Sequence, residues 1–221
     1  MKNLQTAFAL FIFLFLAKIP SNAQFGIGLG YNYTKYLGDF GEGNSGLNIR
    51  ASYNLSEKGT INGGFVYGLP LKYNTTMTAY SSSSMTSPSY VEVEGEQQLS
   101  FKTFYLNYSR FFVKDNEEPF SVYGLVGAAV IVANFESKVK GSYDKTLYNL
   151  SGQGESESFT GFMIHAGIGA QFNFGPMSVF TEGILGIPAN KVGNADVEIT
   201  VPFNAGINLG TKYTFGSGKA S

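Results

Sequence analysis

The sequence predicts an all-β fold, an eight-stranded antiparallel up-and-down barrel that spans a membrane, and three observations carry that expectation. Eight segments alternate bulky apolar residues with small or polar ones at a period of two. The connections between them alternate short and long, as in barrels with short periplasmic turns and long extracellular loops. Beyond residue 23 no stretch is apolar for the roughly 20 residues that a membrane-crossing helix needs.

The first segment, 25–33, sets Phe25, Ile27, Leu29, Tyr31 and Tyr33 against Gly26, Gly28, Gly30 and Asn32. The second, 46–55, sets Leu47, Ile49, Ala51, Tyr53 and Leu55 against Asn48, Arg50, Ser52 and Asn54. After a short turn at Glu57-Lys58-Gly59, the third places Ile61, Gly63, Phe65, Tyr67, Leu69 and Leu71 opposite Gly64, Val66, Gly68 and Lys72. The fourth, 98–112, is less regular: Leu99 and Phe101 are odd, whereas Phe104, Leu106 and Tyr108 are even, which predicts a bulge or a wrong phase near Lys102-Thr103. The fifth, 120–133, is apolar or small on both faces, so its inward side stays open.

The sixth sorts Phe162, Ile164, Ala166, Ile168, Ala170, Phe172 and Phe174 from Met163, His165, Gly167, Gly169, Gln171 and Asn173. Gly175-Pro176-Met177 turns tightly into the seventh, 178–187, where Glu182 opposes Val179, Gly183, Leu185 and Ile187. The eighth runs from Ile199 through Val201, Phe203, Ala205, Ile207, Leu209, Thr211, Tyr213 and Phe215, against Asn204, Gly206, Asn208, Gly210 and Lys212.

Composition agrees with this architecture. With 28 Gly, 14 Tyr, 20 Phe and only 14% charged residues, the chain suits short strands, tight turns and aromatic interface anchors. Cysteine is absent, which removes disulfides and thiol chemistry. The formal net charge of −1 becomes more negative when Lys2 and Lys18 are removed with a leader, so no basic field for nucleic acid exists. That leader is residues 1–23: Lys2, an apolar run from Ala7 to Ala17, and Ser21-Asn22-Ala23 before a cut ahead of Gln24. The expected organisation is signal peptide 1–23, barrel 24–215 and a short polar tail 216–221.

A soluble barrel also alternates, but it turns its bulky face inward around a ligand. Here the minor face is Gly, Asn, Ser and Thr with Arg50, Lys72, His165, Gln171, Glu182 and Lys212, which suits the narrow lumen of eight strands. Tyr105 is expected to join these side chains in plugging it. The bulky face must then meet lipid. Aromatic residues gather into two girdles: Phe25, Tyr53, Phe111, Phe112, Phe120, Phe172, Phe174, Tyr213 and Phe215 on the turn side, and Tyr31, Tyr67, Tyr73, Phe159 and Phe203 on the loop side.

The final segment, Asn208-Leu209-Gly210-Thr211-Lys212-Tyr213-Thr214-Phe215, together with the barrel pattern over 24–215, resembles the small porin-like outer-membrane barrels, in particular the outer-membrane protein β-barrel domain common in Bacteroidetes. The resemblance implies an outer-membrane location in a Gram-negative envelope. It also implies that Asn208, Gly210, Tyr213 and Phe215 form the assembly signal read by the barrel-insertion machinery. The chain departs from members that end on the aromatic residue, because Gly216 to Ser221 follow Phe215.

His165 is the sole histidine, and with Glu182 on the neighbouring strand it invites a reading as a general base with an orienting carboxylate. The plainer expectation is a buried polar network that also draws in Arg50 and Lys212, since buried charges must be paired whatever the function. Some barrels of this size deacylate lipid A with Ser, His and an acid. Here Gly167 stands where their serine would be, and His165 faces inward. Gly26-x-Gly28-x-Gly30 is not a dinucleotide loop, because no helix follows and the glycines share one strand face, where they mark close packing. Gly216-Ser217-Gly218-Lys219 likewise leads into no helix.

Function is expected in the outer loops. The third segment continues through Asn74 to Tyr80 and its return begins at Ser89, while the fifth and sixth extend through Ser137 to Gly141 and Thr146 to Leu150. Twenty residues from Ile61 to Tyr80 rise roughly 45 Å at a tilt near 45°, well above the apolar band. The resulting sheet has free edges and carries Tyr80, Tyr90, Glu92, Glu94 and Glu96 as recognition candidates, with Glu155 and Glu157 in the other long loop. The leading expectation is surface recognition, adhesion or envelope structure by a barrel whose lumen is filled. A small porin-like channel and a lipid A-modifying enzyme are the alternatives. No catalytic residue, cofactor or metal is assigned. The expected partners are outer-membrane lipid and lipopolysaccharide, the barrel-assembly machinery and an extracellular or envelope protein, with the barrel itself a monomer.

Overall fold

Period-two alternation with Gly and polar residues on one side produces strands whose two faces meet different surroundings, and the computed structural model closes eight of them into a barrel. It describes residues 24–37, 43–85, 87–114, 119–150, 156–189, 191–194, 197–200 and 203–215. The expected leader, the polar tail, Glu155 and Val201 lie outside these residues.

Twelve strands are present among them: β1 (Phe25–Tyr36), β2 (Gly43–Asn54), β3 (Gly59–Gly68), β4 (Leu71–Ser81), β5 (Tyr90–Lys114), β6 (Phe120–Val139), β7 (Tyr148–Leu150), β8 (Ser156–Phe174), β9 (Met177–Pro188), β10 (Lys191–Asn194), β11 (Val197–Thr200) and β12 (Asn204–Phe215). The wall runs β1-β2-β3-β5-β6-β8-β9-β12 and closes by antiparallel pairing of β12 with β1, Phe25 opposite Phe215 and Tyr36 opposite Asn204. Closure satisfies every strand edge of the wall, which a hydrocarbon solvent demands.

The outward face is apolar and exposed. Leu29, Leu47, Leu106, Ile168 and Leu185 are each 60–65% accessible. Asn48, Arg50, Asn107, His165, Glu182 and Asn208 point the other way and are buried. The turn-side girdle is built by Phe25 stacked on Phe215 and by Phe172 against Phe174. Gly175, with φ +62°, supplies the positive φ that the β8–β9 turn needs at its first central position.

Several expectations are corrected. β5 itself carries no bulge at Lys102-Thr103: it pairs with β3 without interruption from Gly59–Arg110 to Tyr67–Lys102, and its irregularity against β6 lies between Phe111 and Val113. Leu99 and Phe101 keep the inward phase, with Phe101 stacked on Tyr36 at 4.5 Å. The extra residue sits in the partner, because Tyr67 pairs with Lys102 but Leu71 with Leu99. Pro70, which has no N–H to give the ladder, interrupts β3 from β4 there. The slip reverses the faces of β4, so Lys72 turns outward and Tyr73 lies opposite Gln97 on the side that continues the lumen. Phe111 is buried inside the barrel against Tyr123 and does not belong to the girdle. The last wall strand begins at Asn204, and 197–200 instead forms a hairpin with 191–194. Finally, 148–150 pairs with the outer edge of β4 and does not begin the return of β6.

Above the wall, β4, β5 and the end of β6 continue as a small sheet with β7 on the β4 side. Ala79, Val93 and Tyr148 form a core on its inner face, with Val91, Val139, Tyr143 and Leu150 packed against them. Residues 143–150 thus pack back against this sheet.

Candidate functional site

Inward glycines position the centre of the lumen. A Cβ on Gly64 would strike the Tyr105 ring, one on Gly169 the Tyr123 ring, and one on Gly210 the Phe180 ring. Each glycine therefore lets an aromatic side chain from a neighbouring strand lie flat across the barrel interior, and these rings frame a single ion pair.

Arg50 on β2 reaches across to Glu182 on β9 in a bidentate contact, with Arg50 Nη1 donating to Glu182 Oε1 at 2.8 Å and Nη2 to Oε2. The Tyr123 hydroxyl donates to Oε1 at 2.8 Å and Asn208 Nδ2 to Oε2 at 3.1 Å. Arg50 Nε donates to the Tyr105 hydroxyl at 3.3 Å, which donates in turn to Asn48 Oδ1 at 2.8 Å. The guanidinium also lies 4.2 Å from the Phe180 ring centroid. The side chains of Arg50 and Glu182 are 4% and 1% exposed, so neither charge is shared with bulk water. A fork of donors facing a carboxylate is the geometry in which a buried pair can offset its desolvation.

Two polar layers flank this plug. On the turn side, Ser52 donates to Asn62 at 2.8 Å, Asn62 to Ser109 at 2.9 Å, and Lys212 Nζ to Gln171 Oε1 at 3.0 Å. On the loop side, Asn32 donates to Asn208 at 2.7 Å, and His165 Nε2 is hydrogen-bonded to Asn107 Oδ1. Above it lies a cavity of about 60 Å³, with Asn32, Asn44 and Asn204 on one wall and Phe101, Ile131 and Met163 on another.

Of the lumen residues expected from sequence, the structure brings Arg50 into contact with both Glu182 and Tyr105, and joins Gln171 and Lys212 as a second pair. His165 is buried but hydrogen-bonded to Asn107, while the Glu182 carboxylate is held by Arg50, Tyr123 and Asn208. No hydrogen bond joins the two. Lys72 is outside the lumen altogether: its Nζ lies 3.5 Å from Glu96, with 59% of the side chain exposed. Sequence reasoning missed Tyr123 and Phe180. Tyr123 lies in the segment that is apolar on both faces, and Phe180 is a large apolar residue on an inward face where polarity alone is a poor guide.

Asn208 and Gly210 line the lumen, whereas Tyr213 and Phe215 are 44% and 48% exposed on the outer face. On the extracellular sheet, Tyr80 stands directly opposite Tyr90, Thr78 opposite Glu92, Thr76 opposite Glu94 and Asn74 opposite Glu96. Tyr80 and Tyr90 are more than half exposed. Lys140 Nζ binds Glu96 at 2.7 Å and Asn74 Oδ1 at 3.2 Å, and its hydrogen bond, helped by the charge of Lys72, holds the Glu96 carboxyl below the ordinary glutamate range. Among the described residues no group of three or more His, Cys, Asp or Glu is placed to hold a metal ion.

The profile of the outer membrane protein beta-barrel domain matches residues 6–215. The chain belongs to this family. A search of curated proteins gave no match. Among solved structures, this barrel is similar to a major outer membrane protein from Thermus thermophilus, at 9% identity with a TM-score of 0.58 over 88% of this chain and 100% of that one. It is also similar to Ail, the attachment invasion locus protein of Yersinia pestis, at 18% identity and a TM-score of 0.48 over 87% and 99% of the two chains. A third is OprG of Pseudomonas aeruginosa, at 11% identity and a TM-score of 0.47 over 87% and 96%. At such identities the likeness is one of fold, and the outer-membrane barrel family gives the location of this chain as the outer membrane.

Proposed function

We propose that this outer-membrane barrel is a non-enzymatic, non-conducting recognition or structural protein of the cell envelope, and that it engages an extracellular or envelope protein through the sheet built by β4, β5, β6 and β7. The observation that carries this reading is the outer edge of β4. β7 covers only Ala79 to Ser81, and from Asn74 to Thr78 that edge pairs with no strand among the described residues. An edge of this length can accept an added strand from a partner. The exposed Tyr80–Tyr90 pair at the top supplies aromatic contact area of the kind that dominates protein interfaces.

The remaining parts fit around that role. The leader is removed near Ala23, Asn208 to Phe215 is presented to the assembly machinery, lipid and lipopolysaccharide bathe the outer face, and the barrel works as a monomer. The Arg50–Glu182 plug supports the absence of conductance, because eight strands leave room only for side chains.

The test replaces 72–97 with a short turn and compares proteins captured from intact cells by this variant and by the whole barrel. Specific loss of one partner from the shortened barrel is expected. Identical capture by both, steady single-channel current through the purified barrel, or a change in lipid A mass on incubation with it would each overturn the reading.

A further inference from the structure

We propose that the lipid-facing wall carries a seat for one acyl chain of a phosphorylated outer-leaflet lipid, namely lipid A, with Lys35 at its mouth. A groove of about 600 Å³ crosses the outer surface of β6, β8, β9 and β12, walled by Val126, Leu185 and Ile187 and floored by Ala166, Gly183 and Ala205. A Cβ built on Gly183 would meet nothing within 4 Å, so the floor is bare backbone facing lipid.

Strand register orients the groove. One cross-strand row runs Lys35–Ala205–Leu185–Ala166–Val126. Lys35 stands ten residues from the turn-side end of its strand at Phe25, and Val126 six residues from its strand's end at Phe120. At about 3.3 Å per residue and a tilt near 45°, these become heights of roughly 23 Å and 14 Å above the turn-side girdle. The row therefore descends from the loop-side interface of a band about 25 Å tall toward its middle. Four inter-strand steps of about 4.8 Å give it a length of roughly 19 Å, which accommodates the ~15 Å depth of one leaflet of a 30 Å hydrocarbon core.

The upper end of the row is cationic. Lys35 is exposed on the outward face directly opposite Ala205, and none of the ion pairs among the described residues involves it. At the interface its ammonium meets the headgroup layer, flanked by the exposed Tyr33 and Phe203. A phosphate for the lysine and a saturated chain for the groove are the two chemistries of a phosphorylated lipid. The loop-side height selects the outer leaflet, where that lipid is lipid A.

The test uses the full barrel in detergent with three probes: bisphosphorylated lipid A, the same lipid dephosphorylated, and phosphatidylglycerol, with retention read by native mass spectrometry. Heat-modifiable gel migration reports folding. The wild type is expected to retain bisphosphorylated lipid A in preference to both other probes. Lys35→Gln should retain it about fivefold less, equivalent to ~1 kcal/mol for one lysine–anion contact. Gly183→Leu, whose Cβ would meet no protein atom within 4 Å, fills the groove and should abolish retention. If that variant does not fold, Ala166→Leu closes the same groove one strand away. Equal retention by wild type and variants, a Lys35→Gln barrel indistinguishable from wild type, or phosphatidylglycerol held as firmly as lipid A would overturn the proposal.

Discussion

Removing one partner of the central ion pair should be far more damaging than removing both. In Arg50→Ala, Glu182 keeps its hydrogen bonds from Tyr123 and Asn208 but loses both guanidinium donors, leaving a carboxylate that is 2% exposed inside a ring of protein. Stranding a buried charge in this way costs about 3–5 kcal/mol. In Glu182→Leu the stranded group is Arg50, which retains only its neutral contact with the Tyr105 hydroxyl and the face of Phe180, so a cost of similar size is expected. The double variant Arg50→Met/Glu182→Leu removes both charges and returns comparable volume, strands only the neutral Tyr123 hydroxyl and Asn208 amide, and should cost about 1–3 kcal/mol. A coupling energy of at least ~2 kcal/mol then appears in the cycle. The chain has no tryptophan, so urea unfolding in micelles is followed by far-ultraviolet circular dichroism and by gel migration. Two single variants each costing under ~1 kcal/mol and adding without coupling would refute the reasoning, because that is the behaviour of a hydrated, surface-like pair.

Three further outcomes are expected. Gly169→Ala places a methyl group against the Tyr123 ring, lifts its hydroxyl from Glu182 and should cost about 1–3 kcal/mol in the same unfolding assay. His165→Ala leaves Asn107 without its buried partner and should lower stability by about 1–3 kcal/mol, while mass spectrometry finds lipid A unaltered by either protein. Glu96 is held ionised by the Lys140 hydrogen bond, so its contribution to the extracellular sheet is present above the ordinary carboxyl value and is lost as pH falls through the lowered one. In Lys140→Ala, the Glu96 carboxyl titration followed by ¹³C NMR should therefore move up toward the ordinary range; an unmoved midpoint contradicts the assignment.

Period-two alternation made the wall legible because each wall strand separates two solvents, lipid and a polar lumen. β1, β2, β8 and β9 follow their expected faces residue by residue. Alternation fails where both surroundings are apolar. In β6, Tyr123, Ala129 and Ile131 point inward while Val126 and Ala128 face lipid, and no polarity difference marks the sides. It misleads at the membrane surface: apolar Leu99 and Phe101 on the unbroken inward face read as a bulge in β5, although the one-residue slip lies in the partner strand beside Pro70. The same slip is why Lys72 could not be placed correctly. The Arg50–Glu182 contact was legible only as two charges on inward faces, since which charges meet across a barrel depends on the stagger of its strands.

β5 shows how one alternating strand can serve three surroundings in turn. Its outward residues pass from Tyr108, Leu106 and Phe104 in lipid to Lys102, then to Gln98, Glu96, Glu94 and Glu92 in water. Its inward residues pass from Ser109 and Asn107 in the polar lumen to Phe101 beside Tyr36, and then to Val93 in the core above the membrane. Both faces change character near the same height, between Phe104 and Leu99. That coincidence follows from the solvents. Once water replaces lipid outside, a wall strand no longer needs a polar interior to be filled with hydrogen bonds. It needs an apolar one to hold a sheet together by burial, and an outer face that resists aggregation. The inversion of hydrophobicity across Lys102 therefore places the outer membrane surface at that residue. Everything on β5 from Tyr90 to Ser100 then belongs to a water-exposed sheet, the one whose β4 edge is proposed above to accept a partner.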